Sequence, residues 1–161
     1  MGTDKDIVIP EKILGFDVVG LVEEFDTYAM EPADVNSVTV PGVIKSIPEN
    51  YFAVLTGLTK ITLENGVEEI GNNAFENCEQ LTEVNLPDSI RTIGEKAFYN
   101  CGAKSVTLGK NIETMGDYAL GYEETDAGVA AIEGFTIYGY SGTAAESYAE
   151  ANGFNFVDLN N

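Results

Sequence analysis

The amino-acid sequence predicts an α/β repeat solenoid of about five to six stacked coils with short parallel strands, finished by a small C-terminal helix and strand. Three observations predict it. Apolar residues recur every 23 positions through the middle of the chain, most plainly at Phe52, Phe75 and Phe98. A strand-like alternation opens each unit. The period breaks after Leu120, and residues 135–161 then read as strand, helix and strand.

The period can be followed unit by unit. The first full unit carries Val35, Val38, Val40, Ile44, Ile47, Phe52 and Leu55. The second carries Leu58, Ile61, Leu63, Val67, Ile70, Phe75 and Cys78, and the third Leu81, Val84, Leu86, Ile90, Ile93, Phe98 and Cys101. A fourth, one residue shorter, has Ala103, Val106, Leu108, Ile112, Met115 and Leu120. One unit cannot bury its own apolar face, so the units must stack. Side chains alternate along a strand, so Leu81, Val84 and Leu86 point inward while Glu83 and Asn85 point out. Stacked strands form a parallel sheet at about 4.8 Å per coil, and each inward residue repeats as a ladder. One ladder is Phe52, Phe75, Phe98 and Leu120; another is Ile47, Ile70, Ile93 and Met115. Gly71, Gly94 and Gly116 follow the second ladder, where the backbone either takes a positive φ or passes close to a neighbour.

A period of 20–29 residues with an L-x-x-L-x-L core is the leucine-rich-repeat signature. The third unit, with Leu81, Val84, Leu86-Pro87, Ile90, Ile93-Gly94, Ala97-Phe98 and Cys101, closely resembles the BspA-like leucine-rich repeat. The resemblance is strong over 35–120. Over 7–34, Ile7, Ile9-Pro10, Phe16, Val18, Leu21 and Phe25 resemble a degenerate N-terminal coil, and 135–156 resembles the segment that closes such arrays. The resemblance implies a bacterial surface or secreted protein, located extracellularly or on the cell surface, with an adhesin-type role toward an extracellular protein or glycan ligand.

Terminal units of an open stack must hide its apolar core. Residues 7–34 are expected to cover the first full coil, 121–134 to form an acidic loop, and 135–161 to form the C-terminal cap of a single domain spanning 1–161. Thr143 and Glu146 fit a capping box opening a helix over Ala144–Asn152, with Ala145, Tyr148 and Ala149 on one side. Gly153 fits the stop, and Phe154, Phe156 and Val157 a last strand.

Composition narrows the function. A chain of 161 residues can bury about 70% of its unfolded surface, so it needs neither disulfide nor metal to fold. Its 44% hydrophobic content argues against wholesale disorder. Eight basic against 27 acidic residues give a net charge of −19, which repels nucleic acid and anionic lipid. The absence of His removes Ser-His-Asp and Cys-His catalysis and imidazole metal sites. No apolar run approaches the ~20 residues of a membrane span. Met1–Asp6 lacks the basic start and apolar stretch of a signal peptide.

Each chemical candidate is weighed against packing. Cys78 and Cys101 occupy equivalent positions, and side chains of in-register coils point the same way; a buried thiol ladder is expected, with a disulfide as the alternative. Glu23-Glu24, Glu68-Glu69 and Glu123-Glu124 are acidic pairs of the kind a hydrolase uses, but adjacent residues of a strand face opposite ways. Glu123, Glu124 and Asp126 are the cluster to watch for calcium, although solvated charge is favoured. No catalytic residue, metal or cofactor is expected. The ligand-binding expectation falls on the exposed strand face: Ser37, Thr39, Lys60, Thr62, Glu83, Asn85, Ser105 and Thr107. Tyr118, Tyr122, Tyr138 and Tyr140 form an aromatic group near the C-terminus, of which Tyr138 and Tyr140 are the contact candidates, although sealing the cap is the favoured role. The expected partner is an extracellular protein or glycan, with no nucleic acid, no membrane insertion and a monomeric chain. The alternatives are a carbohydrate-binding or scaffold and spacer module of a secreted polysaccharide-degrading system, and, more remotely, a carboxylate-dependent hydrolase.

Overall fold

The computed structural model describes residues 6–13, 16–18, 20–21 and 35–160. It is a solenoid of about five turns, with one small helix near its C-terminus. A β-branched residue sits on the inward side of each opening segment, Val38, Ile61, Val84 and Val106 in turn, which suits a strand buried on one face. These segments pair in parallel as one seven-stranded sheet in the order β1 (Asp6–Val8), β4 (Ser37–Val40), β6 (Lys60–Leu63), β8 (Glu83–Asn85), β10 (Ser105–Thr107), β14 (Thr136–Gly139) and β15 (Asn155–Asp158). The register keeps equivalent positions aligned: Val38 against Ile61 against Val84, and Thr39 against Thr62 against Asn85. A second parallel sheet joins β5 (Ser46–Ile47), β7 (Glu69–Ile70), β9 (Thr92–Ile93) and β11 (Thr114–Met115). At the N-terminal end, β2 (Lys12–Ile13) and β3 (Phe16–Asp17) make a small antiparallel pair. The strand expected at the start of the degenerate coil is present, since β1 pairs β4. Phe25 and the Glu23-Glu24 pair lie outside the described residues.

The ladders form as the period requires. Phe52, Phe75 and Phe98 are buried and stack with ring centroids 5.3 and 5.0 Å apart, and Leu120 continues the column. Ile47, Ile70 and Ile93 are buried, whereas Met115 at the end of the second ladder is half-buried. Val84 and Leu86 face the core only partly. Both cysteines are free and buried, as a thiol ladder requires. Each thiol donates to the phenylalanine carbonyl of the coil before, Cys78 to Phe52 and Cys101 to Phe75, both at 3.2 Å.

A third set of contacts runs through the return segment. The N–H groups of Asn50, Phe52 and Val54 donate to the carbonyls of Asn72, Ala74 and Glu76 at 3.0, 2.8 and 2.7 Å. Asn73, Phe75 and Asn77 repeat the pattern one coil on, as do Lys96, Phe98 and Asn100. The alternate members of this series carry the left-handed backbone: Asn50, Asn73, Lys96 and Tyr118 in one column, Val54, Asn77 and Asn100 in another. Asparagine tolerates this region better than other non-glycine residues. The repeat glycines therefore serve the second of their two expected roles. None of Gly71, Gly94 and Gly116 has positive φ, and a Cβ on Gly116 would lie 2.4 Å from the Glu95 nitrogen of the adjacent coil.

Two expectations for the C-terminal region are corrected. Residues 121–134 do not form a plain acidic loop: β12 (Tyr122–Thr125) and β13 (Gly128–Ala131) make an antiparallel hairpin. Its turn is held by the Thr125 hydroxyl, which donates to the Gly128 carbonyl at 2.7 Å. The helix α1 spans Ala144–Asn152 as expected, but without the capping box. The Thr143 hydroxyl turns away to the Tyr140 carbonyl, and Glu146 accepts instead from the Gly142 N–H at 2.7 Å. The predicted stop holds: Gly153 is left-handed at φ 70°, and Phe154 N–H reaches back to the Ala149 carbonyl at 2.9 Å.

α1 closes the core. The Tyr148 hydroxyl accepts from the Leu120 N–H at 3.0 Å and donates to the Leu120 carbonyl at 2.9 Å. Leu120 occupies the place of Phe98 one coil on, so this one phenol meets both backbone groups where the stack ends. Phe154 packs beside it, 5.2 Å from Phe135, 5.5 Å from Tyr122 and 6.1 Å from Tyr148 between ring centroids.

Candidate functional site: the outer face of the seven-stranded sheet

The parallel register brings the eight predicted strand-face residues onto one surface in two rows. One row runs Asp6, Ser37, Lys60 and Glu83, and carries on through Ser105, Thr136 and Asn155. The other runs Val8, Thr39, Thr62, Asn85, Thr107, Tyr138 and Val157. Seven strands at ~4.8 Å give the face a length of about 29 Å. Lys60, Glu83, Asn85, Ser105 and Thr107 are exposed; Ser37, Thr39 and Thr62 are half-buried.

Lys60 and Glu83 form an ion pair across adjacent coils at 3.1 Å. Both side chains are largely exposed, so the pair fixes geometry more than it stabilises. Asp6 accepts from the Ser37 hydroxyl at 2.7 Å and from the Asn36 amide at 3.3 Å, and these bonds hold its carboxyl below the usual range.

The tyrosines do not act as one group. Tyr118 and Tyr122 contact each other edge-on at 4.9 Å, and the Tyr122 hydroxyl bonds Asn152 of α1 at 2.6 Å. Tyr122 thereby helps seal the cap, whereas Tyr118 lies against its ring but stays 41% exposed. Tyr138 stands on the strand face, 38% exposed, in register with Thr107 on one side and Val157 on the other. Tyr140 follows β14 and is half-buried. Residues missed by sequence reasoning complete the face at its ends: Val8, Asp6, Thr136, Asn155 and Val157, with Leu159 beyond β15. The signal for Val157 was the inward Phe156 just before it, since neighbours on a strand face opposite ways.

The remaining candidates are structural. Burial pushes the Cys78 thiol up to about 12 and the Cys101 thiol well above its ordinary value, which leaves both protonated and unreactive. Glu123 lies 3.8 Å from Lys104, while Glu124 accepts from the Tyr99 phenol. Burial first, then the Glu124 carboxylate, raise that phenol to about 12. Glu68 pairs with Lys45 at 3.6 Å. Glu123, Glu124 and Asp126 line an open groove of about 570 Å³ that also contains Lys104. Among the described residues, no three His, Cys, Asp or Glu side chains converge to hold a metal ion. Among them, too, no helix is long and apolar enough to cross a membrane.

Stacked 23-residue coils, a strand face and a phenylalanine column define a leucine-rich-repeat solenoid. The profile of the BspA type leucine rich repeat region matches residues 21–126 in six copies, and the chain belongs to this family. Two crystal structures are similar. A leucine-rich repeat protein from Bacteroides ovatus ATCC 8483 is 26% identical, with a TM-score of 0.61 over 71% of this chain and 30% of its own. The leucine rich repeat protein of T. pallidum is 24% identical, with a TM-score of 0.69 over 85% of this chain and 59% of its own. The chain thus spans less than two thirds of either relative. No curated protein matches it significantly.

Proposed function

We propose that this chain is a non-catalytic, monomeric protein-binding module of a bacterial cell-surface or secreted protein, with an adhesion role exercised through the outer face of its seven-stranded sheet. The observation that carries the reading is the continuity of that face. Small polar side chains, one fixed ion pair and a terminal tyrosine–valine patch lie in two unbroken rows across seven strands. Extended repeat surfaces of this kind suit a partner protein better than a small ligand. The buried protonated thiols, the missing histidine and the dispersed carboxylates argue against catalysis. The net charge of −19 argues against nucleic acid.

Binding of the chain to immobilised matrix proteins and polysaccharides, at low and moderate salt, tests the reading. The expected result is saturable binding to a protein, weakened by Lys60→Ala or Asn85→Ala. A second reading, a carbohydrate-binding module, is favoured by the exposure of Tyr138 on an otherwise polar face. Saturable glycan binding lost with Tyr138→Ala or Tyr140→Ala would establish it instead. Binding to neither class would leave a spacer that positions other domains.

A further inference from the structure

Three series of hydrogen bonds link the coils, and two of them are carried beyond the last regular coil. The strand-face series passes from β10 to β14 and β15. The return-segment series ends on the Tyr148 hydroxyl. The third, along β5, β7, β9 and β11, simply stops. In it the glycine N–H of each coil donates to a carbonyl of the coil before: Gly71 to Ile47 at 2.9 Å, Gly94 to Ile70 at 2.8 Å and Gly116 to Ile93 at 2.9 Å. Two residues earlier, Glu69 donates to Lys45, Thr92 to Glu68 and Thr114 to Arg91. The next donors would meet the carbonyls of Glu113 and Met115, and the described residues supply none to either. β11 pairs β9 on one side and, among the described residues, no strand on the other. An unpaired edge is a template for another extended chain.

The ground beside this edge is shaped. α1 turns Ala144, Ser147 and Ala151 toward β11, and these small side chains leave a groove of about 470 Å³ between helix and strand. The strand side runs from Glu113 to Asp117, about 13 Å at ~3.3 Å per residue step. Met115 in its middle is half-buried. The rim is acidic. Glu113 is shared with Arg91, whereas Asp117 has no cation partner among the described residues.

We propose that this groove binds an extended peptide segment of a partner protein, added parallel to β11 as a fifth strand, with a basic side chain against Asp117. The partner is basic because the charged groups lining the groove are carboxylates alone, on a chain of net charge −19. The site lies on the other sheet from the face discussed above, so the two surfaces are independent.

The test uses a fluorescent five-residue peptide of alternating threonine and valine with a central lysine, titrated into the whole chain by anisotropy. Saturable binding is expected, at least about tenfold weaker after methylation of the two peptide nitrogens that would donate to the Glu113 and Met115 carbonyls. Methylation of the alternate nitrogens should leave it unchanged. Ser147→Trp, which fills the groove, should abolish binding, and Asp117→Lys should transfer preference to the peptide with a central glutamate. Lys60→Ala, on the strand face, should have no effect. Circular dichroism checks that each variant folds; if Ser147→Trp does not, the methylation series on the unaltered chain decides alone. Equal binding by both methylated peptides, no binding at millimolar peptide, or binding indifferent to Ser147→Trp would overturn the proposal. So would a concentration-dependent dimer lost in Ser147→Trp, which would make a second copy the occupant.

Discussion

In the central coils, buried backbone groups of the return segment are met by a repeating position of the next coil: Phe75 N–H by the Ala97 carbonyl at 2.8 Å, the Phe75 carbonyl by the Cys101 thiol. In the closing segment, residues that occur once take over: the Tyr148 hydroxyl meets both Leu120 backbone groups, the Tyr122 hydroxyl bonds the Asn152 side chain, and Phe154 is wedged among three rings. The comparison teaches that translation solves the interior and individual chemistry solves the end. Interior stability is spread over many like interfaces, each coupled only to its neighbours. The end concentrates its stability in a few side chains, so single changes there should read differently from single changes within the ladder.

The largest effect should come from the interior. Phe75→Ala removes the middle ring of three and should cost about 4 kcal/mol, against about 3 kcal/mol for Leu120→Ala at the column's end, measured by chemical denaturation. A smaller cost for Phe75 would break the comparison. Next, Tyr148→Phe keeps the ring but strips the hydroxyl from two buried backbone groups, and should cost about 2–3 kcal/mol. A loss below about 0.5 kcal/mol would show that the phenol does not close the stack.

The thiol ladder should appear in alkali. Burial raises the Cys78 thiol from 9.0 to about 12 in the folded chain, so folding holds a proton that the unfolded thiol releases. Its contribution is complete below pH 9 and is lost as the pH climbs toward 12. At pH 10 the loss from the Cys78 thiol should be about 1 kcal/mol. Denaturation midpoints at pH 7.5 and 10 should therefore diverge less in Cys78→Ala than in the parent chain. The smallest effect sharpens the comparison within the repeat itself. Val54 holds a φ of 56° where the following coils place Asn77 and Asn100. A β-branched residue is strained there, and Val54 is half exposed. Val54→Asn should stabilise by about 1 kcal/mol, extending the amide ladder in which Asn100 donates to Asn77 at 3.0 Å.

How much the sequence revealed follows the same division. The phenylalanine and isoleucine columns were legible because a fixed spacing needs only one rule. The strand-face residues were legible because side chains alternate with a period of two. The left-handed columns were not read, although asparagine recurs at Asn50 and Asn73 and again at Asn77 and Asn100; Val54, Lys96 and Tyr118 interrupt both series. The hairpin was hidden by its carboxylates, and its signal was the short Asp126-Ala127-Gly128 turn before Val129. The Tyr148 closure joins residues 28 apart through a single hydroxyl, and no periodicity announces such a contact. The four tyrosines, adjacent in the sequence argument, divide between cap and face because β14 turns Tyr138 outward while Tyr122 packs against Phe154.

The parallel register has a mechanical consequence. β1 and β15 lie at opposite edges of the sheet, so tension applied between the two ends acts along the stacking axis and loads the bonds of one coil at a time. Such a stack unzips rather than shears, each coil lengthening the chain by about 80 Å as 23 residues extend at ~3.6 Å. Anchored at one end and held at the other, it would yield under load as a series of small, recoverable extensions, a tether that gives way stepwise instead of snapping.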